Sequence, residues 1–177
     1  MCIFFSITVV NTLGISKHDM KNRFPESLNI KPLTPDDNIP YELLLLGDED
    51  LSAINKYIHH SQLYVCLLDA RVIAVCALQA LSNDTVEIKN LAVDHDFQGT
   101  GIGTYFLQWI SDEAARRDFK SLLIGTGDQA DKQLRLYRKA GFVDFKIREN
   151  FFTDNYPRPI YENGLQLKDM IVLKKSI

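Results

Sequence analysis

The 177-residue chain is poor in the features that mark secreted, membrane-spanning or nucleic-acid-binding proteins. It has three cysteines, Cys2, Cys66 and Cys76, too few for a disulfide framework. They read as reduced thiols in strands or core, as expected of a cytoplasmic protein. Basic residues are not in excess: 20 Lys and Arg face 23 Asp and Glu, for a net charge of −3. That excludes nucleic acid as a general partner, because phosphate backbones need a basic surface. The apolar stretch Cys2–Val10 is too short to span a bilayer. It also lacks the basic start and small-residue cleavage site of a signal peptide, so no membrane partner is expected. The histidines His18, His59, His60 and His95 do not combine with cysteines or carboxylates at metal-ligand spacing, so no metal is expected.

What remains is an ordinary globular composition, 46% apolar and 24% charged. The length suits one domain, placed at residues 28–177, with residues 1–27 as an N-terminal extension. The informative segment is Gln98-Gly99-Thr100-Gly101-Ile102-Gly103. A strand-like run, Val86–Val93, precedes it and an amphipathic segment, Thr104–Phe119, follows. A glycine-rich turn between a strand and a helix is a phosphate cradle. First-turn N–H groups point outward, the helix dipole favours an anion, and glycines let the ligand approach the backbone. A Walker loop would need Lys and Ser/Thr after the last glycine, but Gly103 is followed by Thr104 and Tyr105. A dinucleotide fingerprint counted from Gly99 would need glycine where Thr104 stands, and an acid after the next strand, where Gly125 and Thr126 stand. The pattern Gln/Arg-x-x-Gly-x-Gly/Ala is met in full by Gln98, Gly101 and Gly103.

The remaining periodicities predict seven strands and four helices. Leu28–Leu33 reads as an edge strand, and Tyr41–Leu46 and Leu51–Ile58 as short helices. Leu63–Leu68 and Arg71–Leu81 form a hairpin turning at Asp69-Ala70. With plain pairing from that turn, Cys66 faces Ile73, Cys76 faces Leu63, and the thiols lie on opposite sides. Thr85–Val93 is a central strand, 101–117 a long helix and Ser121–Ile124 a short buried strand. Gln129–Lys139 is a helix ended by Gly141, and 142–148 and 167–173 are the last strands. Residues 152–164 read as an irregular loop. The elements do not alternate cleanly, which argues against a doubly wound sheet. The expected class is α/β (α+β), a mixed, mainly antiparallel sheet of six to seven strands with helices on both faces.

The cradle, together with the later Leu136-Tyr137-Arg138-Lys139-Ala140-Gly141-Phe142, resembles the GNAT superfamily of N-acetyltransferases over roughly residues 28–173. Gly125-Thr126-Gly127, Asn150-Phe151-Phe152 and Glu162-Asn163-Gly164-Leu165 resemble a bacterial branch of it. The resemblance implies a GNAT fold whose fourth and fifth strands run parallel and splay, with acetyl-coenzyme A in the gap. It implies transfer of the acetyl group to a primary amine of a small molecule or protein, by direct attack in a ternary complex. Homodimers are frequent among such proteins. The cofactor contacts it implies are Leu91, Ala92 and Val93, then Gln98, Gly99, Thr100, Gly101, Ile102, Gly103 and Thr104, and Tyr137. Many relatives carry an asparagine where Ala130 stands, so Asp128 or Gln129 is the expected substitute.

Acetyl transfer needs a deprotonated amine, a donor for the developing oxyanion and a proton for the leaving thiolate. In the protein-acetylating branch the base lies in a Glu-Ile-x-x-x-Ala-Ile/Val strand, which Glu87-Ile88-Lys89-Asn90-Leu91-Ala92-Val93 resembles. Burial of Glu87 is expected to raise its pKa toward useful values. The other reading of Glu87 is a solvent-side or ion-paired carboxylate beside Lys89. Tyr137 is the matching acid, against a plain core tyrosine. The Leu91 backbone N–H is the oxyanion donor, against an ordinary ladder bond. The acidic group Asp48, Glu49 and Asp50, with Asp36, Asp37, Asp154 and Glu162, is either an attractor of a cationic amine or a solvated surface. A non-catalytic acyl-coenzyme A sensor is the alternative function. It would keep the cradle without a working Glu87 and Tyr137.

Overall fold

The structure, a computed structural model, describes residues 27–177. The apolar run Cys2–Val10 and nearly all of the expected extension lie outside the described residues. In chain order the elements are β1 (Leu28–Pro32), α1 (Tyr41–Gly47), α2 (Leu51–Asn55), β2 (Gln62–Leu68), β3 (Arg71–Ala80) and β4 (Thr85–Val93). Then come α3 (Ile102–Arg116), β5 (Ser121–Gly127), α4 (Asp131–Lys139), β6 (Val143–Arg148) and α5 (Phe151–Asn155). The short strands β7 (Tyr161–Glu162) and β8 (Leu165–Gln166) precede β9 (Met170–Ser176). Seven strands form one sheet in the order β1-β2-β3-β4-β5-β9-β6, and β7-β8 form a separate ribbon. Every pairing in the large sheet is antiparallel except β4 with β5. No helix among the described residues is long and apolar enough to cross a membrane.

Helices cover both faces, so the central strands lose the alternation expected of a half-exposed sheet. All seven residues of β5 are buried, and β4 is buried but for Thr85 and Lys89. The hairpin turn is as expected: Asp69 and Ala70 both take positive φ, at 48° and 71°. The register is not. Leu67 pairs with Val72, but Cys66 pairs with Ala74, so one residue of β3 is extra. Cys76 then faces Tyr64 instead of Leu63. Paired residues share a face, so Cys66, Ala74 and Cys76 lie on the same side, not on opposite ones. Both cysteines are buried free thiols.

The segment after β6 is also more ordered than its composition suggests. Residues 152–164 contain most of helix α5 and the turn of the β7-β8 ribbon. Leu167 N–H donates to Ile160 C=O across that connection, and the last strand begins at Met170. Gly141, at φ 89°, ends α4 as expected.

Candidate functional site

β4 pairs with β3 along its length but with β5 only from Thr85–Ser121 to Ile88–Ile124. Beyond Ile88 the two parallel strands part. The separation begins at a second bulge: Ala77 pairs with Asn90 and Leu78 with Ile88, which leaves Lys89 extra. A bulge bends and twists its strand, and here it turns β4 away from β5. Residues 89–93 are left without a β5 partner.

The bulge also sorts the side chains. Gln79 pairs with Glu87 and Ala77 with Asn90, so Glu87 and Asn90 share a face although they are three apart. That face belongs to α1, since Asn90 Nδ2 donates to Leu44 C=O at 2.9 Å and to Tyr57 Oη at 3.0 Å. Tyr64, Cys76 and Leu91 lie in one cross-strand row. Tyr64 Oη bonds Glu113 at 3.3 Å and Arg117 at 3.1 Å, so this row faces α3. The Leu91 side chain therefore points away from the carboxylates, and only its backbone can serve the split edge.

The cradle follows β4 directly. Gly99 and Gly101 take φ of 77° and 97°, and Gly101 is the N-cap of α3. Among the described residues no side chain caps this helix, and no acid occupies its first turn. The first-turn amides of Ile102, Gly103 and Thr104 are therefore open to an anion. Gln98 turns inward: Nε2 donates to Val93 C=O at 3.0 Å and lies 3.3 Å from His95 Nδ1. Thr100 Oγ1 donates to Phe97 C=O at 2.6 Å. These two side chains fix the turn, leaving contact with a ligand to backbone amides. A split strand edge next to an uncapped, positive-φ cradle fits a long diphosphate ligand with an amide-bearing arm. An open cleft of about 690 Å³ adjoins between α1 and the ends of β3 and β4, with Tyr41, Leu46, Val72, Asp94 and His95 in its wall.

Glu87 is buried, its side chain 3% exposed, but it is not isolated. Lys89 Nζ lies 3.3 Å from Oε2 and Arg148 Nη1 2.9 Å from Oε1. Burial alone would raise the carboxyl pKa, and it is the largest single influence. The Lys89 and Arg148 charges and hydrogen bonds together outweigh it, and the group is held below the usual glutamate value. The expected upward shift is thus reversed. Arg148 was not foreseen: nothing local in the sequence ties the end of β6 to β4, because the contact crosses β5 and β9.

Tyr137 lies in α4, fully buried and packed against Phe142 with ring centroids 6.1 Å apart. Ala130 is buried; beside it, Asp128 Oδ1 accepts from Lys168 N–H at 3.3 Å, and the backbone C=O of Gln129 accepts from Asn163 Nδ2 at 3.4 Å.

The acidic group divides. Asp50 caps α2 through Ser52 and Ala53 amides, and Asp37 holds the Thr34 turn and Lys31. Asp48 is different, 1% exposed, so the picture of a solvated acidic loop fails for it. Its Oδ1 accepts from Tyr156 Oη at 3.1 Å. Burial pushes its carboxyl pKa up to about 6. Among the described residues, no three His, Cys, Asp or Glu are grouped to hold a metal.

Comparison with known proteins gives a consistent result. The family model of the acetyltransferase (GNAT) domain matches residues 59–144. The uncharacterized N-acetyltransferase YvbK of Bacillus subtilis is 33% identical over 133 residues, covering 75% of this chain and 86% of that protein. A crystal structure of a GNAT family acetyltransferase from Elizabethkingia anophelis with acetyl-CoA bound is 40% identical with a TM-score of 0.84. It covers 86% of this chain and 100% of that one. The structure of an IAA acetyltransferase from Bacillus cereus is 36% identical with a TM-score of 0.80, covering 85% and 100%.

Proposed function

The chain belongs to the GNAT family of acetyltransferases, and from that premise we propose that it moves the acetyl group of acetyl-coenzyme A to a primary amine in a ternary complex. The observation that carries this reading is the parting of β4 and β5 after Ile88 and Ile124, directly upstream of the uncapped Gly101 helix start.

The coenzyme supplies an activated thioester. The backbone of Leu91, Ala92 and Val93 lines the unpaired edge and offers peptide groups to the amide-bearing arm. The amides from Gly99 to Thr104 hold the diphosphate, with Gln98 and Thr100 keeping the turn in shape. The backbone N–H of Leu91, just past the bulge, is the donor assigned to the carbonyl oxygen as charge develops on it. The amine nitrogen bonds to the acyl carbon, the carbon–sulfur bond breaks, and two protons must be managed. The amine's proton goes to Glu87, directly or through a bridging water. Its cation partners keep Glu87 ionised across the neutral range, ready to accept though weakly basic. The thiolate takes its proton from Tyr137, a phenol of pKa about 10 against a thiolate of about 8.5, and the phenolate left behind regains a proton from water while Glu87 releases its own to water.

The test is thiol release from acetyl-coenzyme A against a panel of primary amines, including small metabolites, polyamines and peptide N-termini. Amine-dependent release with at least one acceptor class is expected. Tight acetyl-coenzyme A binding with no release for any amine would favour the acyl-coenzyme A sensor.

A further inference from the structure

We infer that Asp48 is the seat of the acceptor's ammonium group and selects cationic primary amines. The inference rests on the acetyl-transfer reading above. Asp48 follows directly on α1, the helix that packs on the Glu87 and Asn90 face of β4. It is held there from several sides. Gly47 lies so close to Asn90 that a Cβ on it would stand 2.5 Å from Asn90 Oδ1, so α1 ends pressed against the strand where it leaves β5. Asn90 also bonds Tyr57, and Asp48 in turn raises the Tyr57 phenol pKa, after burial. Tyr156, from the segment after α5, donates its Oη hydrogen to Asp48 Oδ1. Oδ2 is buried and has no hydrogen-bond partner among the described residues.

A buried carboxylate oxygen without a donor is costly unless something arrives to fill it. The natural occupant is a cation with several N–H donors, since a neutral donor would leave the charge uncompensated. A primary ammonium meets that need and is also the resting form of the acceptor. Asp48 therefore binds and positions the substrate, while Glu87, held by two cations, has no charge to spare for it. Among the described residues, the titratable groups facing Asp48 are Tyr156, Tyr57 and the neighbouring Asp50, and none of these is a cation.

The experiment is Asp48→Asn, which keeps shape and removes charge. With the primary amine that wild type uses best, KM for the amine should rise about 10–100-fold, the worth of one buried charge-assisted bond. Acetyl-coenzyme A affinity by calorimetry should be unchanged, which also verifies folding. In wild type, the amine KM should climb as pH falls below about 6, where Asp48 takes up a proton, and this climb should vanish in the variant. An unchanged amine KM overturns the inference and leaves acetyl transfer standing. A second measurement is independent of turnover. Methylammonium should lower the titration midpoint of the Asp48 carboxyl followed by carbon NMR. A midpoint indifferent to methylammonium overturns the inference, even in a protein that acetylates amines.

Discussion

Arg148 Nη1 stands 2.9 Å from Glu87 Oε1, joining the end of β6 to the central strand across β5 and β9. With Lys89 at 3.3 Å on the other oxygen, it makes Glu87 an ion-paired carboxylate on the face where the acceptor is expected. An ion-paired base exchanges basicity for certainty of charge: it is ionised throughout the working range, and each proton it accepts must overcome two cations.

Glu87→Gln should therefore lower kcat/KM by about 10²–10⁴ at neutral pH, the usual worth of a general base. Steady-state kinetics across pH checks it. Because the folded pKa is depressed, the acidic limb of kcat at saturating amine, where the rise in amine KM below about pH 6 drops out, should fall below the ordinary glutamate value of about 4.3. Near wild-type rates would leave Glu87 as the tie between β4 and β6 only. Its stability contribution has a definite sign: it is present above the unfolded pKa and is lost as pH falls through the lower folded one.

Gly101→Val tests the cradle. The residue sits at φ 97°, where a non-glycine costs about 1–2 kcal/mol and a β-branched one is strained further. The new side chain also stands where the diphosphate must meet the first-turn amides. Acetyl-coenzyme A affinity should drop on the order of 10–100-fold by calorimetry, matching the loss of one or two charge-assisted bonds. Unchanged affinity in a folded variant would remove the diphosphate from this turn.

The cradle and the hairpin turn were legible because each is written in contiguous residues with special backbone demands. Gly99 and Gly101 carry the positive φ that the motif requires, as do Asp69 and Ala70 in the turn. The two bulges were not legible. An extra residue in β3 or at Lys89 depends on which cross-strand partner packs better, and no local pattern records that choice. Yet the Lys89 bulge makes the site: it parts β4 from β5 and brings Glu87 and Asn90 to one face. The partners of Glu87 and Asp48, Arg148 and Tyr156, were hidden for the same reason, since each comes from a distant element. Strand order places them, and sequence spacing does not.

Asp48 gives a stability prediction opposite in sign to that of Glu87. Its folded pKa, about 6, exceeds the unfolded value of 3.8. The folded state thus binds more protons between those values, and stability falls as pH rises through that window. Asp48→Asn should remove this slope. In urea unfolding the variant should gain on wild type by on the order of 1–3 kcal/mol between pH 4 and pH 7. A constant difference at the two pH values would mean that Asp48 is well compensated when charged.

Tyr137→Phe removes one hydroxyl from a residue buried between α4 and Phe142, so the packing should survive. Acetyl-coenzyme A affinity should change little, because the diphosphate contacts lie at the start of α3. Turnover should fall by about 10²-fold if the phenol protonates the departing thiolate in the slow step. The loss should shrink with an acyl donor that keeps the coenzyme's binding parts but has a more acidic thiol, since that group leaves with less help. Comparing kcat for the two donors in wild type and variant separates the roles. Equal losses with both would make Tyr137 a positioning residue for the thioester. No loss with either would return it to the core and move the acid elsewhere along the split between β4 and β5.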